Sequence, residues 1–268
     1  MRITRRHPRG AAGRRGRRPW LPLAAAALAL AAAAATAFLL TGGGGHTGPR
    51  ALTADEANRL AITRFRNYQA GGRAVTVTVP DTAGGLVVTA SVDFRAGIGY
   101  GVVHGTGRDT SSDGLIQWTA TTVLVRSMAD APAAAPAVPP PTGWYGRPLT
   151  TAGSSLDSSL AIVLGLGSDR PDNAELLPQN GAVRLGSDHV RGHRTEIMNG
   201  PRARAAAGAP AASGAPAASG TVRYWIGADG TMYRVRADVA SEPQPVVIDF
   251  DTHAYVPVRP VPALRAPR

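Results

Sequence analysis

The sequence predicts an α+β fold in which an antiparallel β-sheet carries a few helices on one face and follows one N-terminal transmembrane helix. Three observations predict it. An uncharged apolar run follows an arginine-rich start, one segment repeats its apolar residues at helical spacing, and most of the remainder alternates with period two between turn residues.

Residues 1–18 hold eight arginines (Arg2, Arg5, Arg6, Arg9, Arg14, Arg15, Arg17 and Arg18) and no acid. Residues 19–40 carry no charge. At about 1.5 Å rise per residue such a helix matches a hydrocarbon core of roughly 30 Å, so residues 19–40 read as a transmembrane anchor or uncleaved signal. The arginine excess keeps 1–18 cytoplasmic and places the rest of the chain outside, in a single-pass arrangement at the cytoplasmic membrane. Ala35-Thr36-Ala37 resembles a small-residue cleavage site, but Phe38-Leu39-Leu40 prolong the apolar run beyond it and favour retention. Residues 41–50 form a glycine-rich tether.

The extracytoplasmic domain is expected over 51–256. Thr53 and Glu56 have the capping-box spacing, and Ala57, Leu60, Ala61, Phe65 and Tyr68 then form one helical stripe stopped by Gly71-Gly72. Val75, Val77 and Val79 alternate with threonines, and Leu86, Val88, Ala90, Val92 and Phe94 alternate with polar residues. With 97–105 and 115–128 these make a four-strand meander. The proline-rich stretch 131–142 donates too few ladder hydrogen bonds for a sheet and is expected to run as an extended crossover. Leu156, Leu160, Val163 and Leu164 suggest a short helix ended by Gly165 and Gly167, with another turn near Leu176-Leu177. Residues 181–198 read as one or two strands. The small-residue loop 201–220, with two copies of Gly-Ala-Pro-Ala-Ala-Ser, is expected to be disordered. Residues 222–227 and 231–239 flank Asp229-Gly230, a dipeptide suited to a type I′ turn. Residues 246–250 complete the sheet, and the proline-rich tail 257–268 is expected to be loose.

The formal charge of +11 belongs mostly to the leader: outside it, 21 arginines face 18 acids, an ordinary surface balance that excludes a nucleic-acid footprint. No cysteine is present, so neither disulfides nor a lipoprotein cysteine are available. His189 and His193 have the spacing of a helical zinc pair, but Gly192 and the surrounding strand pattern argue against a helix, and no metal site is expected. Gly97, Gly99 and Gly101 lack a following helix and read as a closely approached strand instead of a phosphate loop. No serine-nucleophile motif occurs and no carboxylate pair stands out among Asp93, Asp113, Glu196, Asp229 and Asp249. The chain is therefore expected not to be an enzyme and to need no cofactor. Trp118, Tyr224 and Trp225 fall on strands, where they either pack the core or line a cavity under the helices.

Ala182-Val183-Arg184-Leu185-Gly186, Val190-Arg191-Gly192-His193-Arg194-Thr195 and the hairpin Arg223-Tyr224-Trp225-Ile226-Gly227-Ala228-Asp229-Gly230 resemble segments of the actinobacterial cell-envelope lipoproteins LprG and LppX. The likeness to the LolA and LolB carriers is more distant. The resemblance covers about residues 150–252 and departs from the family in lacking the lipid-anchoring cysteine. It implies a curved antiparallel sheet, a half-barrel wrapped around the helices, that holds acyl chains of lipids or glycolipids without catalysis. The cavity-lining candidates are Phe65, Val92, Phe94, Trp118, Leu160, Val163, Leu164 and Trp225. This carrier reading expects an open apolar cavity of roughly several hundred Å³. The alternative, a sensor or assembly domain that contacts an envelope protein through a sheet edge or the 201–220 loop, expects a filled interior and an exposed apolar patch.

Overall fold

The computed structural model describes residues 48–80, 84–107, 110–200, 222–239 and 242–262. The segments 1–18 and 19–40, most of the tether, the loop 201–220 and the last six residues of the tail lie outside this range. Among the described residues no helix is long and apolar enough to cross a membrane.

The strands are β1 (Arg50–Ala51), β2 (Gly72–Val79), β3 (Leu86–Asp93), β4 (Ile98–Gly105), β5 (Gly114–Trp118), β6 (Thr122–Ser127), β7 (Tyr145–Pro148), β8 (Val183–Val190), β9 (His193–Asn199), β10 (Val222–Ile226), β11 (Met232–Ala237) and β12 (Val246–Phe250). They form one antiparallel sheet ordered β1-β8-β9-β10-β11-β12-β2-β3-β4-β5-β6-β7. The helices are α1 (Ala54–Ala70), α2 (Ser155–Gly165) and α3 (Leu176–Gln179). From β7 at one edge the chain passes through α2 and α3 to β8 near the other edge, then returns strand by strand until β12 pairs with β2.

Helix α1 starts where the sequence places it. The Glu56 amide donates to Thr53 Oγ1 at 3.3 Å and the Thr53 amide to Glu56 Oε2 at 2.9 Å, satisfying two end groups reciprocally. Burial alone would raise the Glu56 carboxyl. The hydrogen bonds from Arg50 (2.6 and 2.7 Å) and Thr53 outweigh that and lower it to about 2. Arg50 thus belongs to the sheet and to the helix cap, not to the tether.

Four expectations need correction. The meander has six strands, β2 to β7, because Thr119–Thr122 hydrogen bonds turn the chain between β5 and β6 and β7 pairs with β6. Residues 131–142 are no crossover: they link the neighbours β6 and β7 and lie on the sheet face away from the helices. The tail is ordered through residue 262, where Gln117 donates to the Arg259 carbonyl (2.8 Å) and accepts from the Val261 amide (2.7 Å), and Val261 is fully buried. Finally, Asp229-Gly230 lies in a five-residue connection with positive φ only at the glycine. The two-residue turn with both φ positive is Arg191-Gly192 (φ 48° and 81°), between β8 and β9.

Candidate functional site

The site suggested by the sequence is the helix face of the sheet. A single register row crosses it through Tyr224, Val235, Ile248, Val77, Val88, Val103 and Gly114, so side chains of six strands share one surface that ends at the glycine of β5. The next rows add Val75, Ala90, Val92, Ile116, Trp118 and Phe250, all of them buried. Helix α2 lies on this surface with Leu160 and Val163 fully buried, and α1 flanks it through Thr63 and Asn67. A smaller apolar cluster joins Leu60 and Ala61 of α1 to Leu177 of α3 and to Met198 and Ile226 of β9 and β10.

Trp118 organises the centre. Its indole Nε1 donates to the Leu160 carbonyl at 3.1 Å, and its ring lies over Gly99, where an added Cβ would stand 2.2 Å from the ring. Gly99 of β4 therefore makes room for a tryptophan to lie against the sheet, as a closely approached strand requires.

Helix α2 is fixed at both ends. Arg147 of β7 donates to both Asp157 carboxylate oxygens (2.6 and 2.7 Å), and the Thr150 amide adds a third bond at 2.8 Å. Burial would raise Asp157, but these donors prevail and hold it below its ordinary value. Ser155 Oγ donates to Glu242 Oε1 at 2.5 Å, and Asn67 Nδ2 donates to the Leu166 carbonyl at 2.9 Å. Sequence reasoning identified none of these four polar anchors. Only the short spacing from Arg147 to Asp157, on either side of a turn, could have signalled one of them.

Two clefts open at one end of the sheet, the end formed by Val79, Leu86, Gly105, Gly114 and Ser127. The first, about 300 Å³, is lined by Thr78, Val79, Pro80, Gly85, Thr106 and Pro243. The second, about 220 Å³, has an apolar floor of Val103, Ile116, Val125 and Leu156, with Asp113, Ser127 and Arg147 at its rim. The start of α2 meets both, since Leu156 lines the second and Ser155 is bonded to Glu242 of the first.

Of the candidate lining residues, Val92, Phe94, Trp118, Leu160 and Val163 meet in one buried cluster, and Leu164 packs against it half-buried. Phe65 is half-buried on α1 outside that cluster. Trp225 is a correction: it points to the opposite face, where its Nε1 donates to Asp188 Oδ2 at 3.0 Å and the Arg236 guanidinium lies 5.3 Å from its ring centre. Its neighbour Tyr224 takes the helix face. The interior between α2 and the sheet is filled by Trp118, Leu160 and Val163, so the single large open cavity expected of a carrier is replaced by the two clefts. His189 and His193 occupy opposite faces of the β8–β9 hairpin, because His189 pairs with Arg194 and His193 with Val190.

The face away from the helices is divided. Over β4 and β5, Tyr100, Val102 and Leu115 are covered by Ala131, Ala135, Trp144 and Val258. The Tyr100 hydroxyl is buried there without a partner among the described residues, and burial pushes it up to about 12. Over β9 to β12 the same face carries Asn199, Arg223, Trp225, Arg234, Arg236 and Asp249.

No protein-family model matches this chain, and no curated protein does. Among solved structures it is similar to the Mycobacterium tuberculosis lipoprotein LppX, with 14% identity over 75% of this chain and 98% of that chain and a TM-score of 0.41.

Proposed function

We propose that this chain is a membrane-tethered extracytoplasmic protein that binds an acyl chain of a lipid or glycolipid at the cleft end of the helix face. The observation that carries this reading is the continuation of the apolar surface beneath α2 into the floor of the 220 Å³ cleft, through Val103, Ile116, Val125 and Leu156. Such a floor takes hydrocarbon by contact and water exclusion alone, at about 25 cal/mol per Å² of apolar surface buried. Arg147 at the rim offers a cation to a polar headgroup, although Asp157 already holds it. The sequence resemblance to the LprG and LppX lipoproteins supplies the ligand class.

The test is native mass spectrometry with lipid extraction on the full chain in mild uncharged detergent, beside a Leu156→Arg variant that puts a charge into the cleft. Stoichiometric lipid on the wild type that is lost from a folded variant supports the reading. No bound lipid, or equal lipid on both, overturns it.

A second reading, a protein-interaction domain without a small ligand, is favoured by one observation: Trp118, Leu160 and Val163 fill the interior with no exposure at all. Its expected signature is a clean protein mass under the same conditions.

A further inference from the structure

On β9 to β12 the face away from the helices carries a group of cations whose charges are not all answered. Its rows follow from the register: Asn199 stands beside Arg223, and Arg223 directly opposite Arg236. One row along, Ile197 stands beside Trp225, Trp225 opposite Arg234, and Arg234 opposite Asp249. Arg234 is neutralised by a two-pronged pair with Asp249 (2.7 and 3.0 Å), which Arg191 also approaches at 3.5 Å. Asp188 accepts from the Trp225 indole. Arg223 and Arg236 make no ion pair with any described carboxylate. The segment between β9 and β10 cannot supply one either, since residues 200–221 contain Arg202 and Arg204 and no acid.

Two like charges set directly opposite on adjacent strands destabilise a sheet. Here one of them is also fixed: Arg236 lies over the Trp225 ring, and its Nε is buried without an acceptor among the described residues. Asn199, at the other end of the row, has a buried Oδ1 with no donor among the described residues. The row thus presents two guanidiniums without an ion pair, and an amide oxygen without a donor, among the described residues.

We infer that the Asn199–Arg223–Arg236 row of β9, β10 and β11 is a binding site for a phosphate ester of a polyol, the phosphate held by the two guanidiniums and a hydroxyl donated to Asn199. Guanidinium pairs suit a phosphate because each offers parallel N–H donors to its oxygens. A free sugar or glycerol phosphate and the headgroup of an anionic lipid share this chemistry. The site lies on the face away from the two clefts, so it stands or falls independently of acyl-chain binding.

Isothermal titration calorimetry on the full chain in uncharged detergent tests it with three probes: inorganic phosphate, glycerol 1-phosphate and dihexanoyl phosphatidylglycerol. Saturable binding is expected, tighter for glycerol phosphate than for inorganic phosphate and weakened by added salt. Arg223→Gln and Arg236→Gln should each weaken it about tenfold or more, and Arg236→Lys by less. Arg170→Gln removes an equal charge from an exposed side chain elsewhere and should leave it unchanged. Tighter binding of the short-chain lipid than of glycerol phosphate identifies a lipid headgroup as the source, and equal binding a free ester. The absence of saturable binding by any probe, a loss in Arg170→Gln equal to that in the row variants, or unchanged affinity in folded row variants overturns the assignment.

Discussion

Strands β2 to β6 and strands β8 to β12 meet along the β12–β2 pairing, yet the face away from the helices is covered in the first half and ionic in the second. In the first half β4 and β5 are buried along almost their whole length. Their cover comes from far along the chain: the proline-rich stretch lays Ala131, Ala135 and Trp144 on Tyr100, Val102 and Leu115, and the tail adds Val258. In the second half the same face carries Asn199, Arg223, Arg236, Arg234 and Asp249 around Trp225, a largely polar surface. The difference shows that proline-rich segments unable to join a ladder still act as a layer, provided a side chain answers their backbone groups. Gln117 does so for Arg259 and Val261.

Removing the centre of the covered half should have the largest effect. Trp118→Ala deletes a fully buried indole and its bond to Leu160, and should cost about 3–5 kcal/mol in denaturant unfolding, while Gly99→Ala should be destabilising through its clash with the same ring. The cover itself should be weaker. Gln117→Leu leaves the Arg259 carbonyl and Val261 amide unpaired and should cost about 1–3 kcal/mol. Deleting residues 257–268 from that variant should cost less than deleting them from the wild type, a non-additivity that a double-mutant cycle reads directly.

Acid should loosen the β1–α1 corner of the second half. The Glu56 carboxyl is lowered on folding, so its stabilisation is complete above the ordinary value of 4.5 and is lost as pH falls from there to about 2. Glu56→Gln should flatten the stability curve over that window. The smallest effect belongs to the ionic face: Arg223→Gln relieves the like-charge pair with Arg236 and should be neutral or stabilising by about 0.2–1 kcal/mol in thermal melts at low salt.

Much of this architecture was legible because it is written in local periodicity. Val75, Val77 and Val79 and the Leu86 to Phe94 alternation fix their strands and faces, and Thr53 with Glu56 fixes the start of α1. Trp118, Leu160 and Val163 could be grouped because each belongs to a pattern with a clear apolar side. Trp225 could not, since Tyr224, Trp225 and Ile226 are apolar on both parities. Which one faces the helices depends on the pairing Tyr224–Met198; Ile226 shares the parity of Tyr224, while the bulge at Tyr233 of β11 brings Met232 inward opposite it. The tail was misread because proline content reports on ladder bonding and says nothing of docking by side chains.

The place of β12 carries a consequence for how the chain acquires this structure. Residues near 77 must pair with residues near 248, so the seam of the sheet forms only when everything from β2 to β12 is available. Until then β2 and β11 both present bare ladder edges. High contact order of this kind slows folding, and unpaired edges invite association between nascent copies. Holdase binding to the emerging chain would therefore be expected to persist until Val246–Phe250 appear, and to end abruptly once β12 docks.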